Sequence, residues 1–213
     1  MKIELTEQRP EFFPADWPTQ YDMFSYLEFV CGVPSPLFMI TTMKENGKPN
    51  AAFQAWSSFA GDGGGFFAVM QGLSPHSHTY KNILRDQEFC INFLRPEYYD
   101  KCIHTIAENS EDTDEIAAGG FTSDPSHTIK APRIKEAFLS MECTLHSCAD
   151  LSGAGMSAMM IGRVRHAAVE EGHSSIENIC SANAFMYNVH SPKPPQTGVG
   201  DKSAVAILQA TGQ

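Results

Sequence analysis

The stretch Leu-Phe-Met-Ile-Thr-Thr-Met, running from Leu37 to Met43, decides the fold class, because the turn sequence Lys-Glu-Asn-Gly-Lys follows it at residues 44–48. Large apolar and β-branched residues favour an extended chain, and Asn-Gly favours the positive φ angles of a tight turn. The nearly uncharged stretch from Pro49 to Ala60 supplies the returning strand of a hairpin. A glycine-rich turn and a strand from Phe66 to Met70 follow, so the pattern predicts a three-stranded meander.

Further helices and strands are predicted on both sides of this meander. Helical spacing of apolar residues predicts helices at 20–31, Ser74–Asp86, 96–108 and 174–184. Extended patterns predict strands at Glu88–Leu94, Leu139–Ala149, Met156–Val169 and Ala204–Leu208. Several strands with a few short helices, in a chain of 213 residues, predict a mainly β fold, a closed or half-closed barrel with helices at its ends.

Composition excludes some classes of partner. The chain has 15 Lys and Arg against 25 Asp and Glu, a formal net charge of −10, and no basic run, which argues against nucleic acid and anionic membranes. The charge-free stretch from Phe29 to Met43 contains glycine and proline and is too short to span a bilayer. Charges interrupt the N-terminus where a signal peptide needs an apolar core, so we expect a cytoplasmic protein.

Neither the cysteines nor the acidic residues predict a metal site. Six cysteines in a reducing compartment are expected to be free thiols. Cys143 and Cys148, with His146 between them, are too sparse for the spacing of a tetrahedral zinc site. The acidic residues of segment 108–115 are interpreted as a solvated face.

The chain is expected to form one barrel domain with appendages. We predict an N-terminal arm and short helix over 1–34, the barrel over 35–190, and a Pro-rich loop and C-terminal strand over 191–213. Prolines in the first 20 residues forbid a long helix there. We therefore expect the arm to lie on the body of the protein or on a partner subunit.

The start of the predicted helix at Ser74–Asp86 concentrates hydroxyl, imidazole and ammonium groups. Free N–H groups and the positive end of the helix dipole attract anions at such a point, so Ser77, His78 and Thr79 are candidate phosphate ligands. The same residue types also serve as ordinary helix N-caps, and the sequence leaves both interpretations open.

The segment Gln54-Ala55-Trp56-Ser57-Ser58 is the other candidate. Its small and hydroxylic residues lie on an otherwise apolar strand, where a flat ring can approach the backbone. Ordinary strand packing explains the same pattern. The glycine-rich residues 61–65 do not form a dinucleotide-binding motif, and hydrolase and P-loop motifs are not found, so an enzyme of this sequence would depend on a cofactor for its chemistry.

Short blocks between about residue 35 and residue 170 follow a characteristic order. They include Met39-Ile40-Thr41-Thr42, Gly47-Lys48-Pro49-Asn50, Trp56-Ser57-Ser58, Ser77-His78-Thr79, Phe89-Cys90-Ile91-Asn92-Phe93, Ala131-Pro132-Arg133-Ile134 and Ile161-Gly162-Arg163-Val164. In this order they resemble the flavin reductase-like, FMN-binding split-barrel family. The resemblance implies an antiparallel Greek-key split barrel and a homodimer with the flavin at or near the subunit interface. It also implies NAD(P)H-linked flavin reduction or flavin-mediated electron transfer.

The resemblance also assigns the candidate residues. It places Gln54, Ala55, Trp56, Ser57 and Ser58 against the isoalloxazine ring and ribityl chain of FMN. It places Ser77, His78 and Thr79 against the phosphate, with Lys81 adding a positive charge and Asn82 a hydrogen-bond donor. No residue is assigned as catalytic.

Two departures from the family pattern keep alternatives open. Asp62-Gly63-Gly64-Gly65 stands where many relatives have Asp-Pro-Pro, and Gly155-Met156-Ser157 stands where many have Gly-Asp-His near the nicotinamide. The second departure favours an alternative, an FMN electron carrier that lacks its own nicotinamide site and serves a redox protein partner. A third interpretation is a split barrel for another planar ligand, pyridoxal phosphate or haem.

Overall fold

The structure is a computed structural model that describes residues 1–14, 20–106, 110–173, 175, 185–190, 193–200 and 204–207. Its helices are α1 (Gln20–Met23), α2 (Tyr26–Cys31), α3 (His78–Asp86), α4 (Tyr99–Thr105), which follows a 3₁₀ turn at Pro96–Tyr98, and α5 (Glu115–Ala118). Its strands are β1 (Ser35–Pro36), β2 (Phe38–Met43), β3 (Pro49–Gln54), β4 (Ser57–Asp62), β5 (Gly65–Leu73), β6 (Glu88–Phe93), β7 (Ser123–Asp124), β8 (Arg133–Ile134), β9 (Leu139–Asp150), β10 (Ala158–Val169), β11 (Met186–Val189) and β12 (Ala204–Ile207).

The main sheet has seven antiparallel strands in the order β3-β2-β6-β9-β10-β5-β4. Its two edge strands, β3 and β4, are joined by only Ala55 and Trp56. A flat sheet cannot place its outer edges two residues apart, so the sheet must roll until the edges meet. The result is the mainly β, antiparallel Greek-key split barrel with a few short helices that the sequence predicts.

The predicted single strand from Pro49 to Ala60, and with it the meander, is wrong. The chain breaks at Trp56, which has φ 45°, a value that a bulky side chain rarely adopts. β4 then pairs with β5, with Ser57 opposite Met70, and β3 pairs with β2. Neither glycine nor proline marks the break, so the local sequence does not reveal it.

The other elements lie close to their predicted positions. In the β2–β3 hairpin Thr42 faces Asn50, and Gly47 has φ 81°, as the predicted Asn-Gly turn requires. Helix α3 starts at His78 rather than Ser74, because Ser77 is its N-cap. The short strands β1 and β11, which pair with each other, were not predicted. Of the predicted helix at 174–184, nearly all lies outside the described residues.

The barrel interior is filled by large apolar side chains, including Phe38, Ile40, Met70 and Phe89, which are all fully buried. Gly162 of β10 is required at its position, because a Cβ atom there would lie 2.3 Å from the Phe89 ring. This close packing lets β10 bend around the core.

The N-terminal arm packs on helix α2 of the same chain. Phe13 is fully buried against Tyr26 and Phe29 of α2, and the Tyr26 hydroxyl donates to the Thr6 carbonyl at 2.5 Å. The Lys193 backbone N–H donates to the Phe29 carbonyl at 2.7 Å, which ties a C-terminal segment to the same helix. Among the described residues, no helix is long and apolar enough to cross a membrane.

Candidate functional site

The corner at Trp56 is held by contacts from distant parts of the chain. The Trp56 N–H donates to Ser35 Oγ at 3.1 Å, and its carbonyl accepts from the Gln71 N–H at 2.9 Å. Gly72, with φ 74°, lies directly beneath the indole, since a Cβ atom there would approach Trp56 Cε3 to 3.1 Å. These contacts stabilise a backbone conformation that would otherwise be strained.

Aromatic rings pack on the Trp56 indole from two sides. Phe24, between α1 and α2, stacks on it with ring centroids 4.5 Å apart and planes inclined by 29°. His190 meets it edge-on at 5.1 Å. The N-terminal helices thus cover the corner where the barrel closes.

A groove of about 400 Å³ opens beside this corner. We call it the Trp56 groove, and it is lined by residues 27, 28, 31, 33–35, 56–58, 71 and 190. A second cavity of about 210 Å³ lies alongside and shares Glu28, Trp56 and Gln71 with it. An apolar groove with a few polar groups is typical of a site for a small planar ligand.

Two polar atoms at the groove are buried without a hydrogen bond. They are Ser57 Oγ and Glu28 Oε2. Burial raises the pKa of Glu28 to about 7, although a hydrogen bond from the Ser25 backbone opposes the rise. Buried polar groups normally have partners, so both atoms indicate that the groove is built to receive polar groups of a ligand.

Three of the residues predicted to face a flat ring therefore line this groove: Trp56, Ser57 and Ser58. The other two are placed differently. Gln54 donates from Nε2 to the Gln71 carbonyl at 2.7 Å and so links the edge strand β3 to β5. Ala55 is buried in the core cluster around Met39.

The predicted phosphate ligands lie at the start of α3, where most of them bond within the protein. Ser77 Oγ accepts from the Tyr80 N–H at 3.2 Å and donates to the Ser74 carbonyl at 2.8 Å, which is the N-cap arrangement. Thr79 is buried, and its Oγ1 accepts from Asn50 Nδ2 at 3.0 Å.

The remaining members of this group differ in exposure. Asn82 is buried and donates from Nδ2 to Thr42 Oγ1 at 3.0 Å. Lys81 is exposed on the opposite side of the first turn. Lys81 therefore exposes a positive charge near the helix start, whereas the neutral Asn82 amide is buried.

Acidic side chains lie next to His78. Its Nε2 is 2.9 Å from Glu111 Oε2, and its Nδ1 is 4.0 Å from Glu115 Oε1. The prediction that segment 108–115 is a solvated face is wrong for Glu115, which is 3% exposed. The reason is the β2–β3 hairpin: Lys44 Nζ lies 2.8 Å from Glu115 Oε1 and donates to the Ser110 carbonyl at 2.6 Å.

Strand β3 connects the two groups of candidate residues. Asn50, which contacts Thr79, and Gln54, next to the Trp56 corner, are four residues apart on this strand. At about 3.3 Å per residue, they are separated by about 13 Å.

Residues 30–188 match the model of the flavin reductase like domain. The match covers most of the chain, so the protein belongs to this family. The chain spans 60% and 65% of the lengths of the two curated relatives that it matches.

The individual proteins that resemble this chain have low sequence identity to it. An uncharacterized protein of Aquifex aeolicus is 30% identical over 117 residues, which make up 54% of this chain and 60% of that relative's length. Nitrilotriacetate monooxygenase component B from Bacillus cereus has a similar structure, with a TM-score of 0.75, 17% identity and complete coverage of both chains. Flavoredoxin from Methanosarcina acetivorans has a TM-score of 0.69 and 15% identity over 100% of this chain and 94% of its own. At such identities the structural likeness concerns the fold.

Sequence reasoning missed Glu28, Phe24, Gln71 and His190 at this site. Only Glu28 carries a local signal, because Ser25-Tyr26-Leu27-Glu28 has the spacing of a capping box. That signal predicts a helix start, and it does not indicate that a carboxyl oxygen faces a groove.

Proposed function

We propose that this protein binds FMN and acts as an oxidoreductase that takes electrons from NAD(P)H through the bound flavin. The observation that carries the proposal is the buried Ser57 hydroxyl, which has no hydrogen bond and lines an apolar groove in a chain of this family. The flavin would supply the electron-accepting ring system. The protein would supply position, exclusion of water and hydrogen bonds.

Different residues would hold the ring and the phosphate of FMN. Trp56 and the Ser57 and Ser58 hydroxyls would hold the ring at the groove. The N-terminal N–H groups of α3, with Lys81 and His78, would hold the phosphate, since a helix start attracts anions. His78 contacts Glu111 at 2.9 Å, and Glu111 is half exposed, so this contact can be exchanged for a phosphate.

Cofactor content tests the proposal directly. The purified protein should show a flavin absorption spectrum, and mass spectrometry of the heat-released ligand should identify FMN. Thr79→Ala and His78→Ala should lower FMN retention by about tenfold each, the value of one hydrogen bond to a charged group. A colourless protein that also fails to take up added FMN would contradict the proposal, and unchanged flavin content in both variants would contradict the phosphate assignment.

A second candidate is an FMN electron carrier without its own nicotinamide site. Its support is the charge around the two cavities: among the described residues that line them, none is Lys or Arg, whereas a dinucleotide brings phosphates. Met156 and Ser157 line the smaller cavity, in the segment where many relatives have Asp-His.

Anaerobic stopped-flow mixing separates the two candidates. A reductase loaded with FMN should lose its flavin absorbance within seconds of mixing with NADH or NADPH. A carrier should stay oxidised for minutes with either donor and become reduced by dithionite. Reduction by one nicotinamide only would also identify the donor.

The proposal includes a cytoplasmic homodimer with the flavin near the subunit interface. An exposed apolar face supports the dimer: a shallow cavity of about 420 Å³ is lined mainly by residues such as Phe67, Val69 and Ile161. The described cysteines, which are residues 31, 90, 102, 143 and 148, are all free, which supports a reducing compartment.

A further inference from the structure

Glu28 and Ser57 line the same groove, and each has one buried polar atom without a hydrogen bond. Glu28 comes from α2 and Ser57 from the first residue of β4, and both line the Trp56 groove. Leaving either atom buried without a hydrogen bond is costly. A pair of such atoms on two elements at one apolar groove points to a ligand that bonds both.

The role of Glu28 in its own helix explains only one of its carboxyl oxygens. Ser25 is the N-cap of α2, and its Oγ accepts from the Leu27 N–H at 3.2 Å. Glu28 stands three residues later, and the Ser25 backbone bonds back to its carboxyl group. This is a capping box, and it leaves Oε2 without a hydrogen bond.

Among the described residues that line the two cavities, none is Lys or Arg. The other titratable side chains that line the two cavities are Asp22, Cys31 and His190. Burial raises the pKa of Glu28 to about 7, because the charged form loses hydration. An anionic ligand would add like charge to this environment, so the groove favours an uncharged one.

We propose that Glu28 and Ser57 together form the polar recognition site of the Trp56 groove, selecting an uncharged planar ring whose edge carries an N–H donor beside a carbonyl acceptor. The Ser57 hydroxyl donates to the carbonyl, and Glu28 Oε2 accepts from the N–H. Leu27, Val33 and the Trp56 indole enclose the apolar ring.

Two kinds of molecule can present an N–H donor beside a carbonyl acceptor to Glu28 and Ser57. One is the imide edge of the flavin itself, in which case the inference rests on the proposed function. The other is a second molecule with a carboxamide group that binds beside the flavin. The probes below separate the two sources.

The test uses Glu28→Gln, Glu28→Ala and Ser57→Ala in the full chain, with Glu4→Gln as the control in the exposed arm. Glutamine also forms a capping box at this position, so Glu28→Gln keeps the helix start while it removes the ionisable group. Riboflavin is compared with 3-methylriboflavin, which lacks the imide N–H, and benzamide with benzoate. Affinities are measured by calorimetry, and circular dichroism monitors folding.

For the imide edge, the wild type and Glu4→Gln should bind riboflavin about tenfold more tightly than 3-methylriboflavin. Glu28→Ala should abolish most of this preference, whereas Ser57→Ala, which removes the donor to a carbonyl that both flavins carry, should weaken the binding of both about tenfold. For a second molecule, the riboflavin preference is absent, and Glu28→Ala abolishes a preference for benzamide over benzoate instead. The preference for riboflavin or for benzamide should rise above pH 7 in the wild type and stay flat in Glu28→Gln.

The inference is overturned if folded Glu28→Ala keeps both preferences of the wild type, or if folded Ser57→Ala binds the probes as tightly as the wild type. A protein that binds no flavin at all would defeat the proposed function, and the benzamide arm would still decide this inference. The two failures are therefore distinguishable.

Discussion

Glu28 is a single residue on which ligand recognition and stability both depend. This residue lies outside the 30–188 segment that matches the family, and it lines two cavities at once. A half-buried carboxyl without a cationic partner binds its proton more tightly in the folded protein than in the unfolded chain. Stability must then depend on pH through this group.

The first prediction concerns that pH dependence. The folded pKa of about 7 exceeds the ordinary carboxyl value of 4.5, so the stabilising contribution is complete below pH 4.5 and is lost as the pH rises through 7. Because the group is only half-buried, we expect a loss of about 1 kcal/mol in the free energy of unfolding. Urea unfolding of the wild type and Glu28→Gln at pH 5 and pH 8 measures it. If the free energy of unfolding depends equally on pH in both proteins, the raised pKa of Glu28 is contradicted.

Single residues also limit what the sequence reveals about the site. The blocks around Trp56 and Ser77 are recognisable in the sequence, and the structure places Trp56, Ser57 and Ser58 at one groove. The unsatisfied Glu28 oxygen depends on how α2 packs on the barrel, and no local pattern encodes that packing. Ser77 fits both a cap and a phosphate ligand in the sequence, and the structure shows the cap.

At the scale of elements, the second prediction separates the two roles of Ser77 at the start of α3. Ser77→Ala should lower the free energy of unfolding by about 1 kcal/mol, because the helix loses its N-cap, whereas Ser77→Gly should cost only a few tenths. FMN affinity, measured by fluorescence quenching, should fall equally in both variants if the hydroxyl itself binds phosphate. Unchanged FMN affinity in both would leave Ser77 with a capping role alone.

The third prediction concerns the ion pair that attaches the first residue of α5 to the β2–β3 hairpin. Glu115→Gln leaves Lys44 buried without its counter-charge, since both side chains are at least 95% buried. We expect a loss of about 3–5 kcal/mol in the free energy of unfolding. Glu111→Gln is the matched control, because Glu111 is half exposed and should cost less than about 1 kcal/mol. A small effect of Glu115→Gln would mean that water reaches Lys44.

Elements differ in how well the sequence predicts them. Strands β6, β9 and β10 have long periodic patterns and were predicted within two residues. The sequence does not predict the break between β3 and β4, because Ser35 and Gln71 hold the corner and neither is a neighbour of Trp56 in sequence. Strands of two residues, such as β1, form only because they pair with another strand, and they are too short to show a sequence pattern.

For the whole molecule, the fourth prediction tests the proposed dimer. Val69→Asp places a charge in the exposed apolar face of β5 and should shift the protein to monomers in sedimentation velocity runs. If the flavin lies near the interface, FMN content should fall together with dimer content. Ile103→Asp, at an exposed apolar residue of α4, is the control and should change neither. A wild-type monomer would contradict the proposal outright.

The two-residue corner at Ala55 and Trp56 also affects how readily the chain aggregates before it has folded. Strands β3 and β4 are each six residues long, and both are terminal strands of the sheet. Until the corner closes, each presents backbone groups that another chain can pair with, which is a route to aggregation. A variant that relaxes the Trp56 backbone should therefore reveal itself first as poor recovery from refolding at high protein concentration.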